Sequence, residues 1–432
     1  MKVCVHGLWH LGTVTAACLA SGLHDVVGLD FNEAVVAGLN AGAAPLFEPG
    51  LDVLVREGLE SGHLQFTPDA VTAVRDAEVV WIAVDTPVDE DDRADVESVV
   101  QEAATLFPHL SDGALVLISS QLPVGTTRRL ESMFAATAEG RRVGFAYSPE
   151  NLRLGKAIEL FTHPDRVVAG VRSDDDRARV AKLLRPFTDR IEWMSVESAE
   201  MTKHALNAFL ATSVTFINEI AALCEQVGAD ASEVARGLKS EARIGPRAYL
   251  SPGGAFAGGT LARDVMFLSD LGRQRHVATH LLSSVKTSND AHREWAQRRL
   301  TELLGAIEGK TVAVWGLTYK PGTDTLRRSS AIELCQWLSQ HGARVQAHDP
   351  AVRALPANLA LSIQLVGDPL AAAERASALV VATPWPDYRE VDAALLSPRM
   401  SGRLVLDANG FLSATIGRQP GLQYLTVGRT AA

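Results

Sequence analysis

Hydrophobic and polar positions along the chain fall into two textures. Met1–Val5 is a short apolar run, followed by the turn Gly7-Leu8-Trp9-His10-Leu11-Gly12 and a helical pattern over Thr13–Ser21. A second apolar run, Val26–Leu29, closes on Asp30. Strand, tight turn, helix and strand within about thirty residues predict a βαβ unit. Runs at Val79–Val84, Ala114–Ile118 and Arg166–Ala169 predict further strands of a mostly parallel sheet. From near Ser195 the period changes. Residues 198–228 carry apolar positions at helical spacing and predict one helix of about 45 Å at about 1.5 Å per residue, ending at Gly228. Helices are predicted to continue over Asp264–Arg273 and Ala278–Leu303. The strand texture then returns at Thr311–Trp315, Val345–Ala347, Ala378–Thr383 and Leu404–Asp407, with a helix over Ser330–Gln340. The pattern predicts an α/β chain: two Rossmann-like domains with parallel sheets, joined by a central helical domain with one long helix. The expected boundaries are 1–195, 196–305 and 306–432.

Composition narrows the function classes. The chain has 432 residues, 47% of them hydrophobic and 21% charged, as expected of a globular protein with two or three cores. Its net charge of −10 comes with no basic stripe, which argues against nucleic-acid binding. No signal peptide is predicted at the N-terminus, and no apolar run reaches the roughly 18 residues a membrane span needs. Cys4, Cys18, Cys224 and Cys335 sit in apolar strand or helix patterns without metal-ligand or disulfide spacing. They read as small hydrophobes in a reducing cytoplasm, and no metal site is expected.

Three patterns carry candidate chemistry. Gly7 and Gly12 bracket a βα turn followed by Asp30, the arrangement that takes a dinucleotide on a helix N-terminus and its ribose on a carboxylate. An acid at that place favours NAD over NADP. Trp9 stands where the fingerprint has its middle glycine, so its side chain must point away from the phosphates. Lys203 and Asn207 lie four residues apart on the long helix. They read either as a snorkelling lysine beside a surface amide or as a pair that stabilises an oxygen during hydride transfer. The stretch 249-YLSPGGAFAGGTLARD-264 is a glycine-rich loop with Arg243 and Arg247 upstream and Asp264 at its end. It reads as a flexible connector or as a backbone that wraps a diphosphate ester.

Together with 46-LFEPGLDVLVREGLESGHLQF-66, Thr86-Pro87, 148-SPENLRLGKAIELFTHPDRVVAG-170, 199-AEMTKHALNAFLATSVTFINE-219, 243-RIGP-246, 316-GLTYKPGTDTLRRS-329 and 382-ATPWPDY-388, these pieces give a chain that resembles the UDP-glucose/GDP-mannose dehydrogenase family over nearly its full length. The resemblance implies NAD-dependent oxidation of a nucleotide sugar at C6 by a homodimer built on the long helix. It implies catalytic roles for Lys203, Asn207, Asp264 and Glu150, with Thr260 at the position of the family's cysteine. It implies a cofactor-binding set of Gly7, Trp9, His10, Leu11, Gly12, Asp30, Thr86, Gln121 and Arg327. The implied substrate-binding set is Glu150, Asn151, Leu152, Arg153, Lys203, Asn207, Arg243, Tyr249, Gly258 and Lys320.

The departures shape the expected reaction. Where the family loop reads F-G-G-S-C-x-P-K-D, this chain has Thr260 for the cysteine and Ala262-Arg263 for Pro-Lys. The family's second oxidation runs through a thiohemiacetal on that cysteine, and a threonine hydroxyl supplies essentially no alkoxide near neutrality. Gln121 stands where the family usually has threonine, Leu154 where it often has glutamate, and 407-DANG-410 lacks an arginine often found there. The expectation is a single two-electron oxidation, or a transient one, of a UDP-glucose-like nucleotide sugar. Full four-electron conversion to a uronate and a catalytically silent sugar-nucleotide-binding homologue are the alternatives.

Overall fold

The computed structural model describes residues 1–432 except 88, 90–93, 139, 151, 258, 431 and 432. It divides into two compact units, Met1–Leu206 and Asn207–Ala432.

The first unit is built on eight strands: β1 (Lys2–His6), β2 (Asp25–Leu29), β3 (Leu64–Thr67), β4 (Val79–Ile82), β5 (Leu115–Ile118), β6 (Gly144–Tyr147), β7 (Val167–Gly170) and β8 (Ile191–Met194). Their order is β3-β2-β1-β4-β5-β6-β7-β8. The pairs are parallel except β6 with β7, which meet antiparallel at Tyr147 and Gly170. The first six follow the doubly wound order that leaves a crevice at the carboxyl ends of β1 and β4. β4 and β5 are buried at every position, which is why they read as unbroken apolar runs rather than alternating ones. Two cores flank the sheet. One gathers Val3, Val5, Leu19 and Leu117, the other Cys4, Val80, Ile118 and Phe145.

The second unit repeats the topology with six strands: β9 (Thr311–Trp315), β10 (Arg344–His348), β11 (Ile363–Leu365), β12 (Ala378–Val381), β13 (Leu404–Asp407) and β14 (Gln423–Leu425). They run in the order β11-β10-β9-β12-β13-β14, all parallel. Strand for strand this matches β3-β2-β1-β4-β5-β6, so β9 and β10 occupy the places of β1 and β2.

The long helix spans Val196–Val227 and crosses the division between the units. By length and composition alone it could cross a membrane. Yet one side buries Glu200, Lys203, His204, Asn207, Thr215 and Asn218, a polar load that only satisfied partners make affordable. Another presents Phe209, Phe216 and Leu223, which are 69%, 46% and 62% exposed and seven residues apart.

Two expectations are corrected here. The segment Thr260–Asp264 does not belong to the glycine-rich loop, because a helix runs Thr260–Gln274. Gly259, at φ 94 and ψ −131, turns the chain into it. The helix expected over Ala278–Leu303 is two, His280–Arg293 and Trp295–Leu304. They break at Glu294, whose φ −80, ψ 5 backbone turns its N–H onto the His292 carbonyl.

Candidate active site

The turn after β1 has the shape a dinucleotide needs. Gly7 holds φ 90, and a Cβ on Gly12 would lie 1.7 Å from the Gly7 carbonyl oxygen, so both glycines are sterically required. The helix that follows, His10–Ser21, has no side-chain N-cap and no acid in its first turn. Its leading N–H groups are left for an anion. Asp30 is half-buried at the end of β2; its Oδ2 accepts from Leu8 N at 2.7 Å and its Oδ1 from Asn32 N at 2.8 Å. Each oxygen keeps a further lone pair for a ribose hydroxyl. Trp9 is 48% exposed. Leu11 packs into the core, which leaves only its backbone for a ligand. Thr86 and Gln121 are joined, with Thr86 Oγ1 donating to the Gln121 carbonyl at 2.8 Å.

The corresponding turn of the second unit is sealed. Asp349 follows β10 as Asp30 follows β2, but it is only 4% exposed. Its Oδ2 accepts from Leu317 N, Thr318 N, Thr318 Oγ1 and Trp385 Nε1 at 2.7–3.1 Å, and its Oδ1 from Ala351 N at 2.9 Å. The helix beyond, Ser330–Gln340, is capped by the Ser329 hydroxyl. The first turn therefore fits NAD and the second does not.

Lys203 is not a snorkelling surface lysine. It is 6% exposed, and its Nζ donates to the Glu150 carbonyl at 2.6 Å and lies 3.4 Å from Glu150 Oε1. Glu150 Oε2 accepts from Leu152 N at 2.9 Å, so the carboxylate folds over its own loop. Arg153 is exposed, and Asn151 lies outside the described residues.

In the second unit Asn207 and Asp264, 5% and 0% exposed, are hydrogen-bonded through Asn207 Nδ2 and Asp264 Oδ2. Thr260 is exposed at the first position of the helix, one turn before Asp264. None of the four thiols belongs to this neighbourhood. All are free and buried, Cys4, Cys18, Cys224 and Cys335 lying in the cores of the two sheets. Burial pushes Cys4, Cys18 and Cys335 up to about 12, which makes them inert as nucleophiles.

The glycine-rich loop is pinned rather than flexible. Asn218 Oδ1 accepts from Gly253 N at 3.1 Å, Asn409 Oδ1 from Gly254 N at 2.9 Å, and His292 Nε2 donates to the Gly253 carbonyl at 2.8 Å. Asn289 makes two bonds to the backbone of Phe256, at 3.0 and 2.8 Å. A Cβ on Gly253 would stand 2.5 Å from Asn409 Oδ1, so the backbone is bare here to admit a side-chain amide of the same chain. The pinned loop borders a cavity of about 600 Å³, lined also by Arg293, Tyr319, Lys320, Glu333 and Asn409. Lys320 is among the expected substrate-binding residues that line this cavity. Tyr249 and Arg243 do not join it: their side chains are exposed, and Arg243 pairs with Glu241 at 3.0 Å. Arg327 lies exposed in the loop before Ser330–Gln340, and Gly258 lies outside the described residues. Among the described residues no group of three or more His, Cys, Asp or Glu side chains is placed to hold a metal ion.

Asn218, Asn289, His292 and Asn409 were not singled out in the sequence. Neither was Glu48, a buried acid within the LFEPGL motif that gave no sign of its partners.

The family profiles described as UDP-glucose/GDP-mannose dehydrogenase family NAD binding domain, central domain and UDP binding domain match residues 1–188, 197–291 and 313–414. The chain is 36% identical to a UDP-glucose 6-dehydrogenase of Pseudomonas aeruginosa, covering 100% of this chain and 98% of the relative. It is also 36% identical to one of Rhizobium meliloti. The solved UDP-glucose dehydrogenase of Pyrobaculum islandicum superposes with a TM-score of 0.84 at 32% identity, over 94% of this chain and 93% of that one. The uncapped turn that fits NAD, the buried Lys203 and the Asn207–Asp264 pair thus belong to a member of the UDP-glucose/GDP-mannose dehydrogenase family.

Proposed function

We propose that this NAD-dependent dehydrogenase removes one hydride per turnover from a primary alcohol of a nucleotide sugar and is slow or inactive in the second oxidation. The observation that carries this reading is Thr260, exposed one helical turn before the buried Asp264, while every thiol is enclosed in a core. In the step, the alcohol carbon loses a hydride and the hydroxyl loses its proton to water, leaving an aldehyde. NAD supplies the hydride acceptor. Lys203 and Asn207, four residues apart on one continuous helix, supply a cation and an amide donor that stabilise the developing alkoxide. Asp264 orients Asn207 through their hydrogen bond. A hydrated aldehyde would have to form before a second hydride could leave, and a cysteine adduct does not contribute.

The alternative is full conversion to a uronate through that hydrate, favoured by the names of the two bacterial relatives at 36% identity. NADH counted per sugar consumed separates the two.

The reading includes the nucleotide diphosphate in the cavity beside Lys320 and Arg293, where backbone and two basic side chains meet. It includes a homodimer along the long helix, because Phe209, Phe216 and Leu223 repeat every seven residues and are uncovered in one chain. It also includes a cytoplasmic setting, in keeping with four unpaired cysteines. Light scattering of Phe216→Asp against the parent protein tests the dimer.

A further inference from the structure

Glu48 is one of the most enclosed acids of the first unit, at 4% exposure, and three donors from two separate segments reach it. His10 Nε2 donates to its Oε2 at 2.9 Å, Gly155 N to the same oxygen at 2.8 Å, and Ala157 N to Oε1 at 2.9 Å. Burial alone would raise its pKa. The Gly155 N–H, His10 and the Ala157 N–H outweigh burial and hold the carboxyl below its ordinary value. His10 is the first residue of the helix after the dinucleotide turn. Gly155 and Ala157 lead into the short helix Ala157–Thr162, which no side chain of its own caps. The same stretch, a few residues earlier, carries Glu150 against Lys203.

We propose that Glu48 is a positioning residue: through His10 it ties the dinucleotide turn to residues 152–157, so that seating the cofactor also orders the loop next to Glu150, which holds Lys203. The proposal rests on NAD binding at the first turn and not on the identity of the sugar or the number of oxidations. A purely structural cap would stabilise residues 155–157 equally with and without cofactor. A link through His10 makes their order respond to cofactor.

Hydrogen exchange resolved by peptide, with and without saturating NADH, distinguishes these. In the parent protein NADH should slow exchange across 152–162 by about tenfold, the scale of one charge-assisted hydrogen bond. In His10→Phe, which leaves the bonds from Gly155 and Ala157 in place, the response should fall below about twofold when the NADH concentration is raised until titration shows the variant saturated. His10→Gln, whose amide can donate to Glu48, should restore it. An undiminished response in His10→Phe, or no response in the parent protein, overturns the proposal.

Discussion

Asp30 and Asp349 end equivalent strands of two sheets with the same strand order, yet one is open and the other is closed. Asp30 takes two backbone N–H groups and stays half-buried, whereas Asp349 is enclosed by four backbone and side-chain donors on one oxygen and a fifth on the other. One fold thus provides a turn that receives a dinucleotide and a copy in which the same carboxylate serves the fold.

The two acids should therefore fail differently. Asp30→Ala should weaken NADH binding by about tenfold, one or two hydrogen bonds to a charged group, with a small change in Tm. Asp349→Ala should leave NADH affinity within about twofold and lower Tm by several degrees, since buried donors lose their acceptor. Fluorescence titration with NADH and thermal unfolding of both variants check this.

Asn207 and Asp264 form a buried polar pair, and altering the Asp264 carboxylate removes the acceptor of the Asn207 Nδ2 hydrogen bond. Asp264→Asn should cut kcat by about a hundredfold or more, the scale of a lost preorganised donor, while NADH binding persists. Lys203→Met should cut it by about a hundredfold to ten-thousandfold. Initial rates with UDP-glucose at saturating NAD measure both.

The glycine-rich loop gives a test of non-additivity. Gly253→Ala places a methyl group against Asn409 Oδ1, while Asn409→Ala removes that atom together with its bond from Gly254. Each single change should raise the KM for the sugar nucleotide. The double variant should be less impaired than their sum, by about 0.5–3 kcal/mol of coupling.

Acid should weaken the first unit through Glu197. The Arg172 guanidinium, at 2.7 Å, grips its carboxyl and outweighs partial burial, so its pKa drops from 4.5 to about 2. A depressed carboxyl adds stability that is fully present above pH 4.5 and is lost as pH falls toward 2. Tm measured from pH 7 to pH 3 should fall less steeply in Arg172→Ala than in the parent protein.

The sequence disclosed what local period and spacing control. The βαβ unit closing on Asp30 and the helix over 196–227 were legible because burial on one or two faces writes a period into the residues. Asn207 and Asp264 could be named through resemblance. Their hydrogen bond, and the burial of Lys203 against Glu150, depend on contacts that no periodicity encodes. Glu48 shows the limit most plainly: its partners lie 38, 107 and 109 residues away, and a lone glutamate among apolar residues carries no mark of them. The glycine-rich loop was misread at its end, because a helix starting at Thr260 requires the unusual Gly259 backbone and lacks a side-chain N-cap to announce it.

Thr260→Cys tests the missing nucleophile from the other direction. A thiol at the first turn of a helix is acidified and forms thiolate near neutrality. The variant should raise the yield of uronate over aldehyde, read by mass spectrometry of the products.

The most direct measurement counts NADH formed per UDP-glucose consumed by the purified parent protein. One NADH per sugar, with an aldehyde trapped by a hydrazine, is the predicted result. Two NADH per sugar with accumulating uronate would contradict it and assign the second oxidation to a hydrate that needs no sulfur.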